Sequence, residues 1–248
     1  MPNFKIVIPV TAQVEYFRTC IEKIPDKTKL CVLNNYTNPE IEAMCQILET
    51  QGAEIHRFPW NLGAGPSFNF GLKMLDKHGR NLDFVVILSP ACLFNTTVDD
   101  FVNQVAEEEA KKQNYYYTAQ SQEIKTDMHC MAFTKKMYEE IGLFDENLWP
   151  YGYDDQDIQW RMHLLGGYVT CLTQNYRSSR PTGQGVTSDP RLFSLHMENT
   201  DRQYKYYVRK WGGPATMEVF KTPFNSPYLT PRDWTLELND FKFLSQIP

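Results

Sequence analysis

The sequence predicts an α/β fold: a doubly wound, mostly parallel sheet flanked by helices, with a small mixed second half. Three observations predict it. Short apolar runs alternate with amphipathic helical runs through the first half of the chain. The run Phe84–Leu88 is apolar at every position, as a strand covered on both faces must be. And 248 residues, 42% of them hydrophobic, suffice for one large α/β domain or two small ones with a core that needs no disulfide.

Ile6–Val10 predicts the first buried strand and Leu30–Leu33 the second. A helix over Pro39–Gln51 follows. Pro39 suits its first turn, Ile41, Met44 and Leu48 share one face, and Gly52 can end it. Glu54–Phe58 is a third strand. Pro66–Lys77 is a helix with Phe68, Leu72 and Leu75 inward. After the strand Phe84–Leu88, the spacing of Val98, Phe101, Val102 and Val105 marks another amphipathic helix. The second half is less regular. It predicts strands at Tyr115–Ala119, His129–Phe133 and Tyr168–Leu172, helices at Thr134–Ile141 and Asp155–Leu165, loops near Ser178–Ser188, and a long polar helix over Arg191–Trp211. The tail beyond Gly212 holds five prolines and is expected to be irregular. The expected organisation is one domain, 1–211, with a nucleotide-binding half (1–112) and an acceptor-side half (113–211), and a packed tail, 212–248.

Composition narrows the function. A net charge of −5 and a pI near 5.6 argue against a general nucleic-acid binder, which needs clustered Lys and Arg. Six cysteines, none spaced CxxC, predict buried reduced thiols and a reducing, cytoplasmic location. No zinc-type Cys/His spacing occurs. No segment approaches the roughly 20 apolar residues that span a bilayer, and the opening run lacks a signal-peptide core, so a soluble chain is expected.

In a doubly wound sheet, ligands sit beyond the carboxyl ends of the strands. That rule selects Pro9–Thr11, Asn34–Tyr36, Trp60–Gly65 and Ser89–Cys92. Two constellations stand out. Asn61-Leu62-Gly63-Ala64-Gly65-Pro66-Ser67-Phe68-Asn69-Phe70-Gly71 follows a strand and opens a helix, where backbone N–H groups can meet an anion. It is neither a Walker loop nor a dinucleotide fingerprint, and a tight turn that packs the helix on the sheet explains it as well. Tyr151-Gly152-Tyr153-Asp154-Asp155-Gln156-Asp157 crowds three acids at a helix start. Capping explains some of that charge, but three acids in four residues call for a cation, a metal or sugar hydroxyls. Asp157 stands four residues before Arg161, the spacing of a helical ion pair. The cations and tyrosines of Asn199–Trp211 suit either a sugar or phosphate ligand or a helix packed on the sheet edge.

With these motifs in order, the stretch Lys5–Gly167 resembles family-two glycosyltransferases, in particular the rhamnosyltransferase-like branch. The matching residues are Ile8-Pro9-Val10, the pair Asn61-Leu62-Gly63 and Asn69-Phe70-Gly71, Gly142-Leu143-Phe144-Asp145-Glu146, and Tyr153-Asp154-Asp155-Gln156-Asp157-Ile158 with Arg161 and Gly166. The resemblance implies a GT-A, Rossmann-like fold and an inverting transfer of sugar from a nucleotide-sugar donor, UDP-linked by preference, to a carbohydrate acceptor. It implies that Pro9, Val10, Thr11, Asn34 and Asn35 line the nucleoside, and that Asn61, Gly63, Asn69, Ser89, Pro90 and Ala91 shape the donor pocket. Asp155 would be the general base, with Asp154 beside it. The family holds Mn2+ or Mg2+ through an aspartate after the fourth strand; here Leu88-Ser89-Pro90-Ala91-Cys92 puts Ala91 in that place. A histidine expected near 179–185 is also missing. Arg180 and Arg177, with Arg191, then become candidates to stabilise the diphosphate, and Asp157 a further contact. A catalytically inactive GT-A relic that binds nucleotide or glycan is the competing expectation. A sugar-phosphate nucleotidylyltransferase would need a Gly-x-Gly-Thr-Arg stretch that is absent.

Overall fold

The computed structural model describes residues 2–35, 38–76, 81–90, 92–94, 97–111, 116–119, 129–150, 152–166, 169–172, 176–178 and 190–232. Its elements are β1 (Phe4–Val10), α1 (Val14–Glu22), β2 (Leu30–Asn34), α2 (Pro39–Thr50), β3 (Glu54–Arg57), α3 (Ala64–Leu72), β4 (Phe84–Leu88), β5 (Cys92–Phe94), α4 (Val98–Ala110), β6 (Tyr116–Ala119), β7 (Cys130–Thr134), α5 (Lys135–Glu140), α6 (Asp154–Leu164), β8 (Val169–Leu172), β9 (Tyr176–Ser178) and α7 (Pro190–Trp211).

Seven strands form one sheet in the order β3-β2-β1-β4-β7-β6-β8, and β5 pairs with β9 in a small second sheet. The pairs β1–β2, β1–β4, β2–β3 and β6–β8 are parallel; β7 runs antiparallel to both β4 and β6. Six strands therefore point one way and β7 the other. The expected α/β architecture holds, and the mixed character comes from this single reversed strand.

Alternation along the strands assigns the two faces. Ile6, Ile8 and Val10 of β1 face Phe17 and Cys20 of α1, Ile41, Cys45 and Leu48 of α2, and Phe101 and Val105 of α4. Val7, with Cys31, Leu33, Val85 and Ile87, faces Leu72, Met137, Ile158 and Met162 on the other side. A third, smaller cluster of Leu148, Tyr206, Tyr207 and Trp211 binds α7 to the segment before α6.

Two helix starts show why the chain folds where it does. Asn38 caps α2, its side chain accepting from the Glu40 and Ile41 amides, with Pro39 in the first turn. Thr97 and Asp100 close a capping box on α4. Helix α1, by contrast, has no side-chain cap at Gln13, and no helix is expected there from the sequence. The Pro66–Lys77 helix is shorter than expected: α3 ends at Leu72 and a 3-10 turn, Lys73–Asp76, completes it. Strands β5 and β9 have three residues each, too few to leave a periodic signal. Among the described residues no helix is long and apolar enough to cross a membrane. The described cysteines Cys20, Cys31, Cys45, Cys92 and Cys130 are buried.

Candidate active site

Parallel pairing brings the carboxyl ends of β1 and β2 together, with Val10 in register with Asn34. The Asn35 amide donates to the Val10 carbonyl at 2.9 Å, which extends the β1–β2 ladder by one rung beyond β2. Pro9 and Thr11 are half-buried and Val10 is buried. Ser89 and Pro90 follow β4 at the same edge, and the Ser89 amide donates to the His129 carbonyl at 2.7 Å.

Asn34 and Asn35 are both buried and each keeps one acceptor unused. Asn34 Nδ2 donates to Glu42 Oε2 at 3.0 Å. A carboxylate can only accept, so the amide orientation is fixed and Oδ1 is the unpaired atom. Asn35 Nδ2 donates to Ser67 Oγ at 2.7 Å, and the Ser67 hydroxyl donates to the Gly63 carbonyl at 2.6 Å. The Ser67 proton is thus committed, which fixes Asn35 as its donor and leaves Asn35 Oδ1 unpaired. A buried, unpaired acceptor costs on the order of 1–3 kcal/mol unless a ligand answers it.

The glycine loop and the acidic turn meet. Gly63 has φ 79° and ψ 179°, and its amide donates to Asn61 Oδ1 at 2.9 Å. A Cβ on Gly63 would lie 2.6 Å from the Pro150 carbonyl oxygen and 2.8 Å from the Trp149 ring. The Ala64 amide donates to the Pro150 carbonyl, and Trp149 Nε1 donates to the Leu62 carbonyl at 2.9 Å. The glycine loop thus packs on Trp149 and Pro150, the segment that leads into the acidic turn, and Gly63 is the point where no side chain fits.

Helix α7 holds that unit from the far side. Arg202 Nη2 donates to the Trp149 carbonyl at 2.8 Å, and Gln203 Nε2 donates to the Leu148 and Trp149 carbonyls at 2.9 and 2.7 Å. The chain then turns through Gly152 (φ 121°) and Tyr153 (φ 64°) into α6. A Cβ on Gly152 would meet Gln203 Oε1 at 3.3 Å and His196 Cε1 at 3.7 Å. His196 is therefore a neighbour of the acidic turn that sequence inspection of 179–185 misses; it stands one segment later, on α7.

The three acids have different surroundings. Asp154 is buried and accepts from the Gly152 amide at 2.9 Å. Burial first, then the charge of Asp155, pushes its pKa up to about 7. Asp155 is half-buried, accepts from the Gln156 amide at 2.9 Å, and is also raised by burial. Asp157 is fully buried, and here the expectation of a ligand contact is corrected. Its Oδ1 accepts from Lys210 Nζ at 2.6 Å and Trp211 Nε1 at 2.8 Å, and its Oδ2 from Arg161 Nε at 3.0 Å. Burial alone would raise Asp157, but Lys210 and Arg161 hold it below the usual carboxylate range. Lys210 also reaches Asp145 Oδ2 at 2.7 Å, and Tyr206 donates to the same oxygen at 2.8 Å. Two acids and two bases thus neutralise one another inside the protein. Of the cations of 199–211, Lys210 is buried in this cluster and Arg202 holds the Trp149 carbonyl, while Lys205 pairs with Asp201 on the surface.

Asn69 is a second correction. It is buried, accepts from the Phe144 amide at 2.7 Å, and donates to the Phe144 carbonyl and to Glu146 Oε1 at 2.9 and 2.8 Å. It pins the Gly142–Glu146 motif to α3, and both of its amide protons are committed there, away from a donor sugar. Ala91 and Arg180 lie outside the described residues. Arg177 is placed by its backbone, in β9 opposite Leu93 of β5, the strand that follows the β4 end. Among the described residues no group of three metal-binding side chains forms at the acidic turn.

No protein-family model matches the chain, and no curated protein matches it. Solved structures do. GalNAc-T7 with UDP, GalNAc and Mn2+ superimposes with a TM-score of 0.51 at 12% identity, over 85% of this chain and 50% of that one. The Drosophila β-1,4-galactosyltransferase 7, in a complex with manganese, UDP-Gal and xylobiose, gives 0.43 at 12% identity over 73% and 72% of the two chains. A cytidylyltransferase from Leptospira borgpetersenii gives 0.38 at 14% identity over 57% and 64%. The chain spans half the length of GalNAc-T7. The strand order, the single reversed strand and this superposition together establish that the chain has the GT-A fold.

Proposed function

We propose that the protein is an inverting glycosyltransferase that moves a sugar from a nucleotide-sugar donor to a carbohydrate acceptor, with Asp155 as general base. The observation that carries this is the locking of the acidic turn, through Gly63, Trp149 and Pro150, onto the carboxyl edge of a parallel sheet. The nucleoside would lie over Pro9–Thr11 and Asn34–Asn35. The two unpaired amide oxygens suit the N–H of a base, and uracil offers one. The GalNAc-T7 structure carries UDP, which supports the same choice.

In the reaction the acceptor oxygen bonds to the anomeric carbon as the bond from that carbon to the diphosphate oxygen breaks. The acceptor proton passes to the Asp155 carboxylate, whose burial raises its affinity for that proton. Gln156 anchors the Asp155 oxygen through its amide.

The departing diphosphate needs positive charge. The GT-A relatives above contain manganese. In this chain Ala91 offers no ligand where an aspartate is expected, and a hard divalent ion needs oxygen donors. Among the described residues no group of three metal-binding side chains forms at the acidic turn, so the mechanism takes no step through the ion. Arg180 and Arg177 are assigned the charge instead. Incubation with a panel of UDP-, GDP- and dTDP-sugars, read as diphosphate release, tests the activity. Turnover is expected to persist largely in EDTA and to fall in Arg180→Ala. A loss in EDTA that Mn2+ restores would return the ion to the mechanism. Nucleotide binding without diphosphate release for any donor would favour the inactive relic, which the residue Ala91 also suits.

A further inference from the structure

A second group of chemically capable side chains lies on the sheet away from the acidic turn. β2 and β3 pair in parallel with Cys31 opposite Glu54 and Leu33 opposite His56. Glu54 and His56 are two residues apart, so they share one face of β3, and pairing sets Cys31 beside them. One ligand atom from each of Cys31, Glu54 and His56 lies within 4.8 Å of the others. His56 Nε2 is 2.8 Å from Glu54 Oε1, and the His56 ring stands edge-on to Phe70 of α3 with centroids 4.6 Å apart. The other carboxylate oxygen, Oε2, lies 3.9 Å from Lys5 Nζ, which donates to the Thr28 carbonyl at 2.6 Å. The carboxylate is thus divided: one oxygen toward a cation on β1, the other toward the imidazole and thiol.

We infer that Cys31, Glu54 and His56 form a site for a borderline-soft divalent cation of the Zn2+ class, which staples the edge strand β3 to β2. A thiolate, an imidazole and a carboxylate are the three donor types zinc takes, whereas Mg2+ and Ca2+ do not take a thiol. Zinc's bond lengths put tetrahedral ligand atoms roughly 3.5 Å apart, so the imidazole and carboxylate, now 2.8 Å apart, part slightly and settle around an ion beside the thiol. Glu54 and His56 can make that movement. Their side chains are 24% and 30% exposed on the edge strand, while Cys31 is held in the core. The exposed side leaves room for water as the fourth ligand. A Glu–His pair on an edge strand needs no thiol beneath it; the third donor turns a surface contact into a chelating set. Bound Zn2+ balances the thiolate and carboxylate, and Lys5 keeps its bond to Thr28. The site is three residues along β2 from Asn34, roughly 10 Å, and is independent of the glycosyltransferase reading.

Co2+ titrated into the metal-free full chain tests this, because only a thiolate ligand gives a near-ultraviolet sulfur-to-cobalt charge-transfer band. One equivalent is expected to develop that band together with the visible bands of a tetrahedral ion, and Zn2+ is expected to displace it. Zn2+ is also expected to raise the melting temperature. Cys31→Ser and His56→Ala should both lose the band and the thermal shift. Cys31 is buried and its variant can fold poorly; His56→Ala, on the exposed edge, retains the fold by circular dichroism and decides the matter. Absence of the band in the wild-type chain, or a band unchanged in His56→Ala, overturns the site.

Discussion

Asp157 and the pair Asp154–Asp155 share one helical turn and have opposite fates. Asp157 lies between Lys210 and Arg161, every oxygen engaged, its pKa held low. Among the described residues Asp154 and Asp155 have backbone amides for partners and no cation, and both are raised. Crowded carboxylates can be relieved by importing positive charge or by keeping a proton close. The first solution makes a scaffold and the second makes a group that exchanges protons near neutrality. Only the second kind suits a general base.

The comparison breaks most severely at Lys210. Lys210→Ala leaves Asp145 and Asp157 buried with one cation between them, so a loss of about 3–5 kcal/mol is expected by urea unfolding. An effect below 1 kcal/mol would mean that water reaches the cluster. Asp155→Asn should leave the unfolding midpoint nearly unchanged and lower turnover by roughly 10²-fold or more, with UDP affinity intact. If Asp154→Asn abolishes turnover and Asp155→Asn does not, the base is one residue earlier.

Asp154 sharpens the comparison through pH. Its folded pKa lies above its unfolded one, so its contribution to stability is full at low pH and is lost as pH rises through about 7. Asp154→Asn keeps the acceptor for Gly152 and removes that loss. The variant should therefore melt higher than wild type at pH 8, by roughly 1 kcal/mol or more, and the two should converge toward pH 4. Asp157→Asn should show the reverse slope. The smallest effect is expected at the nucleoside: Asn34→Ala should weaken UDP binding by roughly three- to tenfold in calorimetry. Tighter binding of GDP than UDP by the wild type would remove the uracil assignment.

Much of the fold is legible in the sequence, because β1, β2 and β4 are buried on both faces and their apolar runs say so. The pairing of Asp157 with Arg161 is legible too, since both partners lie on one helix. What escapes is long-range. Asn69 meets Phe144 and Lys210 meets Asp145 across 75 and 65 residues, and nothing local marks either as buried. Lys210 looks like one more cation on a solvated helix. The reversal of β7 is likewise silent, since a central strand has the same composition in either direction. α1 starts without a capping side chain, and β5 and β9 are too short for any period.

The grip of α7 on the Leu148 and Trp149 carbonyls, and of Lys210 on Asp145 and Asp157, has a consequence for the order in which the molecule is made. A growing chain emerges amino end first, and the parallel half, with local βα contacts, can condense while the rest is still on the ribosome. The turn bearing Asp154 and Asp155 cannot. Its scaffold is delivered by residues 202–211, so the carboxylates wait for a helix translated some fifty residues after them. The nascent protein gains its parallel sheet edge early and its acidic turn late, and any chemistry that needs that turn waits until the last supporting helix has docked.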